Sequence, residues 1–272
     1  MDKTILVERA EQLLRSHDRR QILVLPNAWD VASARVIEKA GFPAIATSSA
    51  AVAALFGFAD GEQIGRDLML EMVGRIAHAV RVPVTADLEA GYGDPGATVE
   101  AALRAGAVGM NLEDGTHDER GIVSAEEHAD RVRAARAAAE RAGVHFVINA
   151  RVDVYLARIG EEGGRFAAAV ERARAYLAAG TDCIFVPGVT DAETIGKLVK
   201  AIDGPLNILA NAGAPPVATL AALGVARVSI GAVTMRVALT AARRAAEELR
   251  DKGTYTFAEG IISHAEVNAL FK

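Results

Sequence analysis

Eight short apolar runs alternate with segments of helical period, and this rhythm constrains the chain more than any other feature. The runs lie at 22–25, 44–47, 82–87, 108–112, 146–150, 183–186, 206–209 and 227–230. Between them, helices are expected over 31–40, 68–80, 97–105, 124–142, 165–179, 191–201 and 216–223, with a long one over 233–252. Several stop at glycine (Gly41, Gly106, Gly180, Gly224), the usual helix terminator. Ser124 with Glu127 has the capping-box spacing. A leading helix is read over 3–17, and the stretch 48–65 is read as a long loop. Right-handed βα connections in this number favour an α/β fold of the closed (β/α)8 barrel type over an open sheet.

With 51% hydrophobic residues in 272 and no linker, one barrel domain over 1–272 is expected. The segment 254–272 is then a surplus C-terminal helical extension. Its apolar positions (Phe257, Ile261, Ile262, Val267, Leu270, Phe271) need a partner surface, and a second subunit can provide one. The net charge of −5, with no basic cluster, argues against nucleic-acid binding. No apolar run nears the roughly 20 residues that span a bilayer, so no membrane partner is expected. The N-terminus lacks the apolar core of a signal peptide, and a cytoplasmic location is the expectation. The single cysteine, Cys183, reads as a buried thiol. His78, His128 and His145 read as surface residues.

In a barrel, chemistry is built from the strand C-terminal ends. Asp87-Leu88-Glu89-Ala90-Gly91-Tyr92-Gly93 ends the third run; on a regular strand, Asp87 and Glu89 share one face. Two carboxylates so placed repel each other unless a cation intervenes, and all-oxygen ligands suit Mg²⁺ or Mn²⁺. Glu113-Asp114-Gly115 repeats the design on the fourth run, and Arg151 stands at the end of the fifth. Acids beside a cation suit a small anionic substrate that chelates a metal, with Arg151 holding a second anionic group. Ser48 and Ser49 offer donors for an oxyanion. Trp29 and Tyr92 read as pocket wall, and Asp30 as a helix N-cap or a further site residue.

Four stretches together, Pro26-Asn27-Ala28-Trp29-Asp30-Val31-Ala32-Ser33-Ala34-Arg35, Asp87 to Gly93, Asn111-Leu112-Glu113-Asp114 and Asn149-Ala150-Arg151-Val152-Asp153, resemble the isocitrate lyase / phosphoenolpyruvate mutase superfamily over nearly the whole chain. The resemblance implies Mg²⁺-dependent chemistry on a C–C or C–P bond next to an α-keto acid or its enolate. It also implies a barrel whose eighth helix swaps between paired subunits, usually in a dimer of dimers, hence a homotetramer. Carried over by position, Asp87 and Glu89 match an Asp-x-Asp metal pair, with Glu in place of the second Asp. Glu113 matches the third metal-shell acid, and Asp60 an acid near the metal. Ser48 and Ser49 match a Ser-Gly pair that receives the substrate carboxylate and keto oxygen, and Ala50 is grouped with them for substrate binding. Arg151 matches the substrate-binding arginine, and Asn211 falls near a residue contacting the distal substrate group.

One departure matters. After Glu113-Asp114, lyases of this superfamily carry a Lys-Lys/Arg-Cys-Gly-His run; here the chain reads Gly115-Thr116-His117-Asp118-Glu119-Arg120-Gly121, and the mutase's lysine-asparagine gate is absent too. The candidate catalytic set is therefore Arg151 and Glu113, with His117 and Arg120 available as acid/base or anion-binding groups alongside Glu119. The leading expectation is a Mg²⁺-dependent lyase (Mn²⁺ being the other candidate metal) acting on a small 2-oxo or 2-hydroxy (including dicarboxylic) acid through an enolate, by C–C cleavage or decarboxylation. The alternatives are a 2-oxo-acid-binding protein without turnover, a phosphonopyruvate-type C–P hydrolase or mutase, and a metal-dependent aldolase.

Overall fold

The computed structural model describes residues 1–18, 20–116 and 121–272. In chain order the elements are α1 (Lys3–Arg15), β1 (Leu23–Leu25), β2 (Asn27–Ala28), α2 (Val31–Lys39), β3 (Ile45–Thr47), α3 (Ser49–Leu55), α4 (Arg66–Ala79), β4 (Val84–Asp87), α5 (Pro95–Ala105), β5 (Gly109–Glu113), α6 (Ala125–Ala142), β6 (Val147–Arg151), α7 (Arg165–Ala178), β7 (Cys183–Phe185), α8 (Ala192–Ala201), β8 (Leu206–Leu209), α9 (Val217–Leu223), β9 (Arg227–Ser229), α10 (Val233–Lys252) and α11 (His264–Ala269). All strand pairs are parallel, in the order β1-β9-β8-β7-β6-β5-β4-β3-β2. This is the (β/α)8 barrel, its eight expected strands split into nine segments.

The split falls at Pro26, which has no N–H to donate. Before it, Leu23 and Leu25 register with Arg227 and Ser229; after it, Asn27 and Ala28 register with Ala46 and Thr47. One extended stretch thus pairs with the last strand below the proline and with the next strand above it. Asn27 stitches the seam: its Nδ2 donates to the Thr47 carbonyl at 2.7 Å, and its Oδ1 accepts from the N–H groups of Ile230 at 3.0 Å and Gly231 at 2.9 Å.

The core between strands and helices is rich in Ala, Val, Ile and Leu. α1 closes the lower end, where Leu13 is fully buried beside Gly109. A Cβ at Gly109 would lie 2.9 Å from both Leu13 Cδ2 and the Val147 carbonyl, so only glycine fits there. The barrel interior is unusually polar for this fold: Thr85, Asn111, Asn149, Asn207, Arg227 and Ser229 are all buried. Cys183 is a buried free thiol, as expected.

Four expectations need correction. The stretch 48–65 contains α3, whose small residues (Ser-Ala-Ala-Val-Ala-Ala-Leu) carry no side-chain cap to announce it. The segment after Thr254 is a 3-10 turn (Thr256–Ala258) followed by the six-residue α11, not one helix. Ser124 accepts from Glu127 N–H, which is half of the anticipated capping box. His128 is fully buried and meets the Tyr176 ring edge-on at 4.4 Å between centroids. It stands on the stripe His128, Val132, Ala135, Ala139 that α6 turns inward, a helical spacing legible in advance. Asp30 caps α2, its Oδ1 accepting from Ser33 N–H at 2.7 Å.

α10 buries none of its twenty residues, and Val237 and Leu239 on it are 63% and 59% exposed. Among the described residues, no helix is long and apolar enough to cross a membrane.

Beside the start of β6, Asp182 accepts from Arg136 Nη2 at 2.6 Å, His145 Nε2 at 2.6 Å and Ile148 N–H at 2.8 Å. Burial pushes its carboxyl up, but the His145 hydrogen bond, the Arg136 charge and the backbone donor outweigh this and hold it below the ordinary range. A carboxyl lowered in the native state stabilises fully above its unfolded value, and that gain fades as pH falls through the lowered native one. Asp182→Asn is expected to cost about 2 kcal/mol at pH 7. Urea unfolding at falling pH should show the gap to wild type closing in the acid range.

Candidate active site

The register of three adjacent strands assembles the site. Asp87 pairs with Asn111, and Glu113 with Arg151, so the ends of β4, β5 and β6 meet on one arc of the barrel mouth. Asp87 is held from two sides. Its Oδ2 accepts from Ser49 N–H at 3.0 Å and Ser49 Oγ at 2.8 Å, and its Oδ1 accepts from Asn111 Nδ2 at 3.0 Å. Ser49 opens α3, where backbone N–H groups lack partners within the helix, and Asp87 takes one of them. Of the two serines expected to meet a substrate oxyanion, Ser49 thus gives its N–H and hydroxyl to Asp87, and the Ser48 N–H goes to the Ala28 carbonyl.

Glu89 is not placed by strand alternation. β4 ends at Asp87, and Glu89 has a left-handed backbone, φ 49°. Glu62 (φ 55°) and Tyr92 (φ 53°) share that conformation, which is uncommon without glycine. The three hold one another: Glu62 N–H donates to Glu89 Oε2, Tyr92 N–H to Glu62 Oε1 at 2.8 Å, and Tyr92 Oη to Glu89 Oε1 at 3.4 Å. Burial, then the Asp87 charge, push the Glu89 carboxyl up to about 7; Asp60 and Glu62 add to this against the Glu62 N–H. Burial and then the acids beside it raise the Tyr92 hydroxyl as well.

Arg151 is clamped. Its Nη1 donates to Glu113, its Nε to Asp153 Oδ1 at 2.6 Å and its Nη2 to Asp153 Oδ2 at 2.9 Å. Burial drives the Glu113 carboxyl well up; Arg151 opposes this, while Asp87 and Asp153 reinforce it. Behind the clamp, Asp114 accepts from Asp153 N–H at 2.8 Å, Tyr176 Oη at 2.6 Å and Arg172 Nη1 at 2.9 Å. The substrate-binding and salt-bridge readings of Arg151 therefore coexist in one side chain.

A cavity of about 180 Å³ opens at this mouth. Of the residues expected from sequence, Ser48, Ser49, Ala50, Asp60, Asp87 and Arg151 line it; Glu113 reaches it through Arg151. Phe185, Leu156 and Leu209 form an apolar side. Trp29 and Asn211 lie elsewhere. Trp29 lines a groove with Val36, Ile262 and Leu270 under α11, and Asn211 lines another beside Val233 and Arg236 of α10. His117, Glu119 and Arg120 fall outside the described residues. The sequence reading gave Asn111 and Glu62 no role. Asn111 had a signal, standing two residues before Glu113 on one strand and so on the same face. Glu62 had none, since only the folded loops bring it to Glu89.

The proposed ligand set Asp60, Asp87, Glu89 and Glu113 is not a ready-made cage. No three His, Cys, Asp or Glu side chains among the described residues stand as a metal cluster. Glu113 turns to Arg151, and Asp87 to Ser49 and Asn111. The chemistry nonetheless fits a hard divalent cation, because the donors are all oxygens and the carboxyls of Asp87, Asp60 and Glu62 each destabilise the ionised form of Glu89.

Comparison with known proteins gives the class, an enzyme of the isocitrate lyase / phosphoenolpyruvate mutase type: residues 13–250 match the phosphoenolpyruvate phosphomutase family, and the chain belongs to it. It is 34% identical to 2-methylisocitrate lyase of Escherichia coli K12 over 240 residues, 81% of this chain and 77% of that one. Among solved structures, oxaloacetate acetylhydrolase in complex with oxalate superposes with a TM-score of 0.85 at 28% identity, over 96% of this chain and 93% of the other. Phosphonopyruvate hydrolase in complex with oxalate and Mg²⁺ gives 0.85 at 29%, over 96% and 94%.

The Asp87–Gly93 turn separates two kinds of glycine. Gly91 has φ 91°, and a Cβ there would meet Pro95 Cγ at 2.9 Å and Leu112 Cδ1 at 3.1 Å; Gly93 has φ 79° and open space. Gly91→Ala should therefore cost about 2–4 kcal/mol and Gly93→Ala about 1 kcal/mol in chemical unfolding.

Proposed function

We propose that the protein is a divalent-metal-dependent lyase of a small 2-oxo or 2-hydroxy acid, working through an enolate by C–C cleavage or decarboxylation. The observation that carries this reading is the convergence of Asp87 and Arg151 on one small cavity, with Glu113 in register with Arg151 and bonded to it. Asp60, Asp87, Glu89 and Glu113 would hold Mg²⁺ or Mn²⁺. The bound cation would stabilise the negative charge that develops as the bond beside the keto group breaks. Arg151, held rigid by Asp153, presents its cationic face to a substrate carboxylate. Ser48 and the start of α3 line the same cavity, and about 180 Å³ admits only a small acid. Phe185 and Leu156 give the cavity apolar lining. His117 and Arg120 belong to this reading as candidate acid/base groups.

Relatives named for oxaloacetate, phosphonopyruvate and 2-methylisocitrate chemistry support the substrate class. The second reading, a 2-oxo-acid-binding protein without turnover, is favoured by the loop 115–121, which lacks the lysine and cysteine of the lyases.

Oxalate, an enolate mimic, tests the site. At a hundredfold excess over its Kd and with Mg²⁺ present, it should stabilise wild type by about 2.7 kcal/mol. Asp87→Asn should abolish that response in a thermal-shift titration; an unchanged response would place the site elsewhere. Product formation from oxaloacetate or another small 2-oxo acid, followed by NMR, separates the lyase from the binder.

The assembly belongs to the same proposal: one barrel domain over 1–272, paired through its C-terminal helices into a dimer of dimers. The unburied α10 supports it. Native mass spectrometry should give a tetramer. Val237→Glu together with Leu239→Glu should shift the population to smaller species, because a charge on each exposed apolar position cannot be buried unpaired.

A further inference from the structure

Two residues below Ser229 on β9, on the same inward face, stands Arg227. It is completely buried, an unusual state for an arginine in a barrel interior. Its Nη2 lies 3.4 Å from Asn111 Oδ1, which also accepts from Asn149 Nδ2 at 2.8 Å. Its Nε and Nη1 have no hydrogen-bond partner, and it makes no ion pair among the described residues. Burial lowers its guanidinium from the ordinary value, while the Cys183 thiol and then Asp87 favour its charged form. His17 beneath it is held neutral, its imidazole lowered to about 4 by burial and by Arg227. A buried ion without a counter-ion is costly, so a chain that places one here gains from its charge. The gain is visible one bond away: Asn111, which Arg227 contacts, is the side chain that donates to Asp87 at 3.0 Å.

We propose that Arg227 is a positioning residue: a fixed positive charge beneath the acid-lined cavity, acting through Asn111 and Asp87, that lets an anionic substrate settle among carboxylates. Among the described residues lining the cavity, Arg151 is the one arginine, and Glu113 and Asp153 already occupy its donors. Arg227 offsets them from below without competing for the space the substrate needs. The inference rests on the proposed function in that the ligand is a small carboxylate bound with a divalent cation.

The test is Arg227→Met, which keeps an unbranched side chain and removes the charge. Three quantities are compared with wild type: the thermal midpoint without ligand, Mn²⁺ affinity by electron paramagnetic resonance, and oxalate affinity at saturating Mn²⁺ by calorimetry. The variant should melt no lower than wild type and bind Mn²⁺ as tightly or more tightly. It should bind oxalate about tenfold more weakly, as expected for loss of one nearby charge in a partly desolvated site. A purely structural role would weaken both ligands together; loss of positive charge moves them in opposite senses. Oxalate affinity close to wild type, or parallel loss of both ligands, overturns the proposal. If wild type binds neither Mn²⁺ nor oxalate, the proposed function fails and this inference with it. If wild type binds both and the variant matches it, only the role of Arg227 falls. Should Arg227→Met not fold, Arg227→Gln is read the same way, and failure of both to fold makes Arg227 a structural necessity and ends the proposal.

Discussion

The barrel closes where β1 pairs with β9 and β2 with β3, and one asparagine bridges the two ladders. Pro26 interrupts the first strand, so the chain must leave one neighbour and join another within a few residues. Asn27 spans the gap, bonded to the Thr47 carbonyl on one side and to the Ile230 and Gly231 N–H groups on the other. Each of those backbone groups would otherwise be left without a ladder partner in a buried place. The same residue lines the cavity, so the seam of the barrel and the wall of the site are one structure.

Charge is the second constraint. The mouth gathers more carboxylates than guanidinium groups, and burial raises the cost of each. Glu89 and Glu113 respond by shifting toward their protonated forms. Asp87 instead is surrounded by Ser49 and Asn111 donors.

Much of this was legible in advance. The eight apolar runs coincide with the strands to within a residue or two, because a strand buried on both faces must be apolar and short. The acids at the ends of β4 and β5 and the arginine at the end of β6 followed from the barrel rule that strand termini carry the chemistry. What stayed hidden depended on contacts between residues far apart in the chain. Trp29 and Asn211 sit beside strand ends yet face other grooves, a matter of local turn direction that apolar spacing does not encode. α3 lacks a side-chain cap and a polar face, so apolar periodicity did not mark it, although its alanines favour a helix. Glu89 was assigned its direction by strand alternation, but the strand had already ended.

The left-handed trio Glu62, Glu89 and Tyr92 has an evolutionary consequence. At each position glycine is the easier backbone, but at Glu89 it would delete the side chain that accepts from both others, and at Glu62 or Tyr92 it would remove one contact of the set. A change at one member is therefore judged by the state of the others, although Glu62 lies on a loop far from Glu89 and Tyr92 in the chain. Glu89 is the member whose replacement disturbs both loops at once, whereas a change at Glu62 or Tyr92 removes one bond and leaves the others in place.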